Sequence, residues 1–263
     1  MKKDFIILFL LIFVSVSPFQ DASASNIANC LFNNSINTKT ANESAIKCTP
    51  SAVNFSSSSS NTSLNFDESG TADYVEVLHN SDFNLVDGNF AFEAWIYSDL
   101  SGNETILSKG NGGGTGDDVY IFQANANGTN KIGLELASNF LGMSEWQYSD
   151  TDIPPNQWNH IAVSVQLTTS LLIPQATFYL NGVADGIKTF GIFTLNNVDS
   201  NPLYIGRQGH TCACNYFDGR IDDVAIWDKM LIQSDIDASI ANGLTGTEPD
   251  LVCLLYTSPS PRD

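Results

Sequence analysis

Trp146, Tyr148 and Tyr216 stand among polar residues in stretches that join apolar segments, where a flat ring can stack on the face of a sugar. They are the candidate ligand-binding residues. Cys212-Ala213-Cys214 is the second feature with chemistry in it. In an oxidising compartment its thiols close a local disulfide, or they pair with Cys30 and Cys48. His210 nearby invites zinc, but the four-coordinate site that zinc requires lacks a fourth ligand. The carboxylates Glu93 and Glu135 fall in strand-like segments, and nothing in their spacing sets them across a cleft, as glycoside hydrolysis demands. No Gly-x-Ser-x-Gly elbow and no His-Glu-x-x-His helix occurs. The run GNGGGTGDD, residues 110–118, lacks the lysine and following helix of a phosphate loop. These residues point to a surface that binds and to a chain that is not an enzyme.

The elements that must position them are strands. Tyr74 to Val77, Phe90 to Ile96, Val119 to Phe122, Lys131 to Leu136, His160 to Gln166, Ala176 to Leu180 and Leu203 to Ile205 are rich in β-branched and aromatic residues. Many alternate apolar and polar positions, the pattern of strands that lend one face to a core. Asn181-Gly182 and Asp87-Gly88 carry hairpin signals, and residues 138–156 read as a long connection bearing Trp146 and Tyr148. Trp95, Trp158 and Trp227 lie in strand segments and are assigned to the core. Short strands with such turns predict an all-β, two-sheet antiparallel β-sandwich over residues 63–245. One short helical segment is expected near the end, where Ile232, Ile236 and Ile240 recur at helical spacing and Ser234 is placed to cap it.

Both ends read differently from the middle. Lys2 and Lys3, the apolar run from Phe5 to Val16 and the small residues Ala22-Ser23-Ala24 have the layout of a cleaved secretory signal over residues 1–24. Residues 25–62 are rich in Asn, Ser and Thr and read as a flexible leader. Residues 246–252 read as the start of a linker. The last eleven, CLLYTSPSPRD from Cys253 to Asp263, match the translation of a sequencing-library adaptor, so further domains of the natural chain are expected beyond them. The formal net charge is −18, and trimming both ends leaves it unchanged. Such a chain repels nucleic-acid phosphates and anionic lipid and attracts divalent cations. The expected setting is secreted or cell-surface, without membrane insertion once the signal is cleaved.

In sequence order, the blocks LNFD (64–67), DYVEV (73–77), FAFEAWIY (90–97), TILSKG (105–110), QWNHIAVSV (157–165), ATFYLNG (176–182), PLYIGR (202–207) and FDGRIDDVAIWDKMLIQSDI (217–236) resemble a laminin G-like, concanavalin A-like jellyroll domain. The resemblance runs from about Ser63 to about Ala241. It implies a recognition module that binds glycan or an extracellular protein through rim loops. The Glu-x-Asp-x-x-Glu run of laminarinase-type glucanases on that fold is missing. The resemblance also implies a structural Ca²⁺ near a sandwich edge, with Asp67, Asp73 and Asp222 as candidate ligands and Asp117 with Asp118 as an alternate site.

Overall fold

In the computed structural model, residues 63–66, 73–85, 88–111, 118–138, 142–167, 173–191, 195, 200–209 and 211–257 are described, together with the backbones of three strands nearer the start. The signal-like segment, residues 1–24, lies outside them. The described strands in chain order are β1 (Ala28–Phe32), β2 (Cys48–Ser51), β3 (Asn54–Phe55), β4 (Leu64–Phe66), β5 (Tyr74–Val77), β6 (Phe90–Tyr97), β7 (Glu104–Gly110) and β8 (Asp118–Ala124). There follow β9 (Gly133–Ser138), β10 (Met143–Tyr148), β11 (Trp158–Leu167), β12 (Pro174–Leu180), β13 (Val183–Thr189), β14 (Leu203–Ile205), β15 (Gly219–Trp227), the helix α1 (Gln233–Asn242) and β16 (Leu251–Thr257).

These strands form two antiparallel sheets. Sheet A runs β1-β16-β15-β6-β11-β12-β13, with β4 also on β15 and β3 on β4. Sheet B runs β10-β9-β8-β7-β14-β5-β2. The expected all-β jellyroll sandwich with one short helix near the C-terminus is the fold observed.

Alternation explains why the two sheets meet. Phe90, Phe92, Ala94 and Ile96 of β6 face inward, and across the gap the Phe92 ring lies 4.8 Å from that of Tyr120 and 6.0 Å from that of Phe122. A fully buried phenylalanine is worth about 2–3 kcal/mol relative to leaving it in water. Phe92, Tyr120 and Phe122 therefore clamp β6 to β8 across the middle of the sandwich.

β15 reaches the core in two halves. Ile221 points inward, and strict alternation would next send residue 223 inward and Trp227 with it. Instead the register on β6 shifts between Asp222 and Ala225, and Asp223 adopts a left-handed φ of 48°. This bulge restores Val224 and Ile226 to the core and turns Ala225 and Trp227 to the outer face. There they meet Ile236 of α1 in a second, smaller apolar cluster.

Glu93 is the peg of that cluster. It alternates out from the core on β6 and is 1% exposed beneath the helix. Its carboxylate accepts hydrogen bonds from Trp227 Nε1 at 3.0 Å and Ser239 Oγ at 2.8 Å, and His160 Nε2 lies 3.0 Å away. A buried carboxylate is tolerable only when its lone pairs are satisfied in this way.

Several expectations change. Asp235, not Ser234, caps α1: its carboxylate accepts from the Ile232 N–H at 3.0 Å, and Ser234 is exposed. The chain between β5 and β6, where Asp87-Gly88 was expected to make a hairpin, passes instead from sheet B to sheet A, and Asp87 itself lies outside the described residues. Asn181-Gly182 does make one, joining β12 to β13 with φ of 50° and 82°. Within residues 25–62, read as a flexible leader, β1, β2 and β3 pair with sheet edges, whose free peptide groups accept any extended segment. β16 begins inside 246–252, read as a linker, and continues into the last eleven residues. Cys253 and Leu255 reach the main core and Leu254 the outer cluster. An extended apolar heptapeptide meets the requirements of that seat whatever its origin.

Replacing Glu93 by alanine strands buried donors on Trp227 and Ser239, at roughly 1–3 kcal/mol each. The expected result in urea is a loss of about 3 kcal/mol or more, with hydrogen exchange rising in α1 before it rises in the strands of the core.

Candidate functional site

β10 is the edge strand of sheet B, and its residues are only half-buried apart from exposed Met143. Gln147 stands opposite the core residue Leu134, so Trp146 and Tyr148 project from the other, outer face, opposite Glu135 and Gly133 of β9. Their rings stack at 6.1 Å with 12° between planes. The backbone of β9 makes room for them. A Cβ on Gly133 would stand 2.2 Å from the Cβ of Ala126 and 3.1 Å from Trp146 Cζ3, so only glycine lets the indole lie down over the strand. Asn127 Nδ2 donates to the Tyr148 hydroxyl at 2.6 Å. The result is a paired aromatic platform with one flank open to solvent.

The middle of the same face is closed. Residues 206–209 and 211–217 fold over β7 and β8, held where Gly209 N–H donates to Ser108 Oγ, Ser108 Oγ to the Arg207 carbonyl and Thr105 N–H to the Asn215 carbonyl. Beneath them Gln123 Nε2 donates to Thr105 Oγ1 at 2.9 Å and to Gln208 Oε1 at 3.3 Å, and Asn215 Nδ2 donates to the same Gln208 oxygen. Cys212 and Cys214 are joined by a disulfide in this segment. The alternative pairing would join them instead to Cys30 and Cys48. The latter two lie on β1 and β2, at the margins of different sheets, and their side chains are outside the described residues. His210 is outside them too.

Farther along the face, the Arg207 guanidinium is held between the rings of Tyr74 and Tyr204, 4.2 and 4.0 Å from their centroids. Burial, then the charge of neighbouring Glu76, pushes the Tyr204 hydroxyl up to about 12, although Arg207 pulls the other way.

Of the three aromatic candidates, Trp146 and Tyr148 come together and Tyr216 does not join them. Tyr216 is half-buried in the covering segment and makes no ring contact with either among the described residues. The pair also sits on a strand, where a rim loop was expected. The sequence Met-Ser-Glu-Trp-Gln-Tyr is polar on both sides because the strand lies at an edge, so its alternation carries no apolar contrast. Of the three tryptophans assigned to the core, Trp227 is buried, but in the outer cluster. Trp95 and Trp158 lie half-buried on the outer face of sheet A. That platform face was missed because indoles in β-branched strands look like core until the register is known.

Among the cation candidates, Asp73 precedes β5 of sheet B and Asp222 lies on β15 of sheet A, both buried and each with interaction partners. Asp67, Asp117 and the side chain of Asp118 are outside the described residues, among which no group of three or more His, Cys, Asp or Glu is arranged to hold a metal ion. Glu93 and Glu135 occupy outer faces of opposite sheets. They cannot face each other across one cleft.

With this geometry in hand, the chain is recognisable as a jellyroll of the lectin type. It belongs to the concanavalin A-like lectin/glucanases superfamily, whose laminin G-type family model matches residues 69–237. No curated protein sequence matches it. Among solved structures, the binding domain of Paraclostridial mosquitocidal protein 1 superposes with a TM-score of 0.56 at 16% identity, over 79% of this chain and 50% of that one. The binding domain of botulinum neurotoxin DC in complex with SialylT gives 0.51 at 16%, over 83% and 47%. The enzymatically active domain of tailspike protein 2 from bacteriophage CBA120 gives 0.53 at 13%, over 84% and 34%. At such identities these likenesses concern the fold, and the chain spans about half or less of each of those structures.

Because the folded Tyr204 has a raised pKa, the stability that its protonated form contributes is complete below pH 10, its ordinary value, and is lost as pH rises toward about 12. The expected signature is a stability difference between wild type and Tyr204→Phe that holds constant from pH 7 to 9 and falls above 10, measured by denaturant titration across that range.

Proposed function

We propose that this chain is a non-catalytic glycan-recognition module, exported from the cell and part of an extracellular or cell-surface protein, that holds its ligand on the Trp146–Tyr148 platform. The observation that carries this reading is the pair of stacked, half-buried rings on the outer face of an edge strand. Sugar rings offer apolar C–H faces, and a ring fixed in place binds them without loss of side-chain freedom. The Asn127 side chain supplies an amide beside the platform, at the Tyr148 hydroxyl. The fold shared with a toxin binding domain solved with SialylT accords with such a role. A net charge of −18 argues against nucleic acid and anionic membrane as partners.

One fact supports the non-catalytic part: Glu93 is sealed under α1, its carboxylate hydrogen-bonded by Trp227 and Ser239. One observation favours a second reading: Glu135 stands beside Trp146, and a tailspike domain described as enzymatically active has the same fold. Release of reducing ends from a polysaccharide by the wild type, lost in Glu135→Gln, would establish a glycosidase and displace the first reading.

The direct test is a glycan array with wild type, Trp146→Ala and Tyr148→Ala, each first shown to melt like the wild type. Binding should weaken about tenfold or more in both variants. An array on which the wild type binds no glycan, or binds one equally well without Trp146, removes the proposal.

A further inference from the structure

The opposite side of the sandwich carries a second aromatic row. Arg220 on β15 pairs in register with Asn65 on β4 and with Tyr97 on β6, and Tyr97 pairs with Trp158 on β11. Leu64, Ile221 and Ile96, adjacent to Asn65, Arg220 and Tyr97, are in the core, as is Ile161, an odd three residues from Trp158, so by alternation these four side chains stand on the outer face of sheet A. α1 covers the other end of that face, against Ala91, Ala162 and Trp227, and leaves this row half-buried and uncovered by the helix. The guanidinium carbon of Arg220 lies 4.1 Å from the Tyr97 ring centroid and 5.5 Å from that of Trp158, whose rings meet edge to face at 5.9 Å.

Charge singles out this row. Lys131, Lys188 and Lys229 each reach a carboxylate, and Arg220 reaches none among the described residues. Asp222, one row along on the same face, is 1% exposed and does not present its carboxylate to solvent. Arg220 is thus laid on two rings with no carboxylate paired to it among the described residues. Stacking occupies the face of a guanidinium and leaves its in-plane N–H fork, which matches a carboxylate with two parallel hydrogen bonds.

We infer that Asn65, Arg220, Tyr97 and Trp158 form a second saccharide site, selective for a sugar that bears a carboxylate. The N–H fork of Arg220 takes the carboxylate, Trp158 offers its ring to the pyranose face, and Asn65 stands in register to bond a hydroxyl. The inference rests on the reading of this chain as a glycan-binding module, but it uses the other face of the sandwich and the opposite electrostatic logic.

The experiment titrates the full chain with oligogalacturonate and, separately, with its methyl ester, which keeps the ring and removes the charge. Wild type should bind the acid at least tenfold more tightly than the ester, and more weakly as salt is added. Arg220→Gln should lose tenfold or more, and Arg220→Lys, which keeps charge and loses the fork, should not restore it, whereas Trp146→Ala should bind the acid as wild type does. Melting temperatures separate loss of the site from loss of the fold, and Arg220→Lys serves if Arg220→Gln does not fold. Absence of wild-type binding to oligogalacturonate, equal affinity for acid and ester, or affinity that survives Arg220→Gln would overturn the inference. Neutral glycans bound through Trp146 with no response to the acid would sink this site and leave the platform on sheet B standing. Acid bound through Arg220 with a blank array for Trp146 would do the reverse.

Discussion

Two sheets share one core, and each strand has only one face to give to it. Every inward Phe, Ile or Leu therefore commits its two neighbours to the outside of the sandwich. The inner faces meet around Phe92, Tyr120 and Phe122, and what remains to be decided is how each outer face meets water. On sheet A, α1 covers one end. On sheet B, residues 206–209 and 211–217 cover the middle, held by Ser108, Thr105 and Gln123. The two aromatic groupings left half-exposed, Trp146 with Tyr148 and Tyr97 with Trp158, are the parts of the outer faces that neither cover reaches.

The covers depend on polar groups in apolar company. α1 is seated by Ile236 and by the buried carboxylate of Glu93, which gathers donors from β15 and from the helix itself. An apolar residue at Glu93 would pack, but it would not choose which indole and which helical serine to meet. The bulge at Asp222 and Asp223 is the partner of this arrangement. Were these residues paired without the bulge, Trp227 would turn into the core and Glu93 would lose its indole donor. An irregularity of one residue in β15 thus determines how the helix sits on the sheet.

The two aromatic groupings differ in ways that bear on recognition. Trp146 and Tyr148 lie parallel on an edge strand, with the Asn127 amide at the Tyr148 hydroxyl. Tyr97 and Trp158 meet edge to face in the interior of a sheet with a guanidinium over them. A single fold therefore offers two flat aromatic surfaces on opposite sides, one with a guanidinium laid on it and one with an amide beside it, placed so that one extended ligand cannot span both without passing around the sandwich.

The sandwich itself was legible in the chain. Alternation in FAFEAWIY and NHIAVSV, glycine at Asn181-Gly182 and the isoleucines of the final helix are local signals, and local signals determine element type. They also marked Trp146 and Tyr148 as rings among polar residues. Sequence could not say that these two lie on a strand, since an edge strand with both sides wet has no apolar period to read. Nor could it separate Trp227, which is buried, from Trp95 and Trp158, which are not. All three sit in apolar strands, and which side a side chain takes depends on register, on a one-residue bulge and on where a distant helix comes to rest. Element type is a property of neighbours along the chain, whereas exposure belongs to neighbours across it, and only the packed structure supplies those.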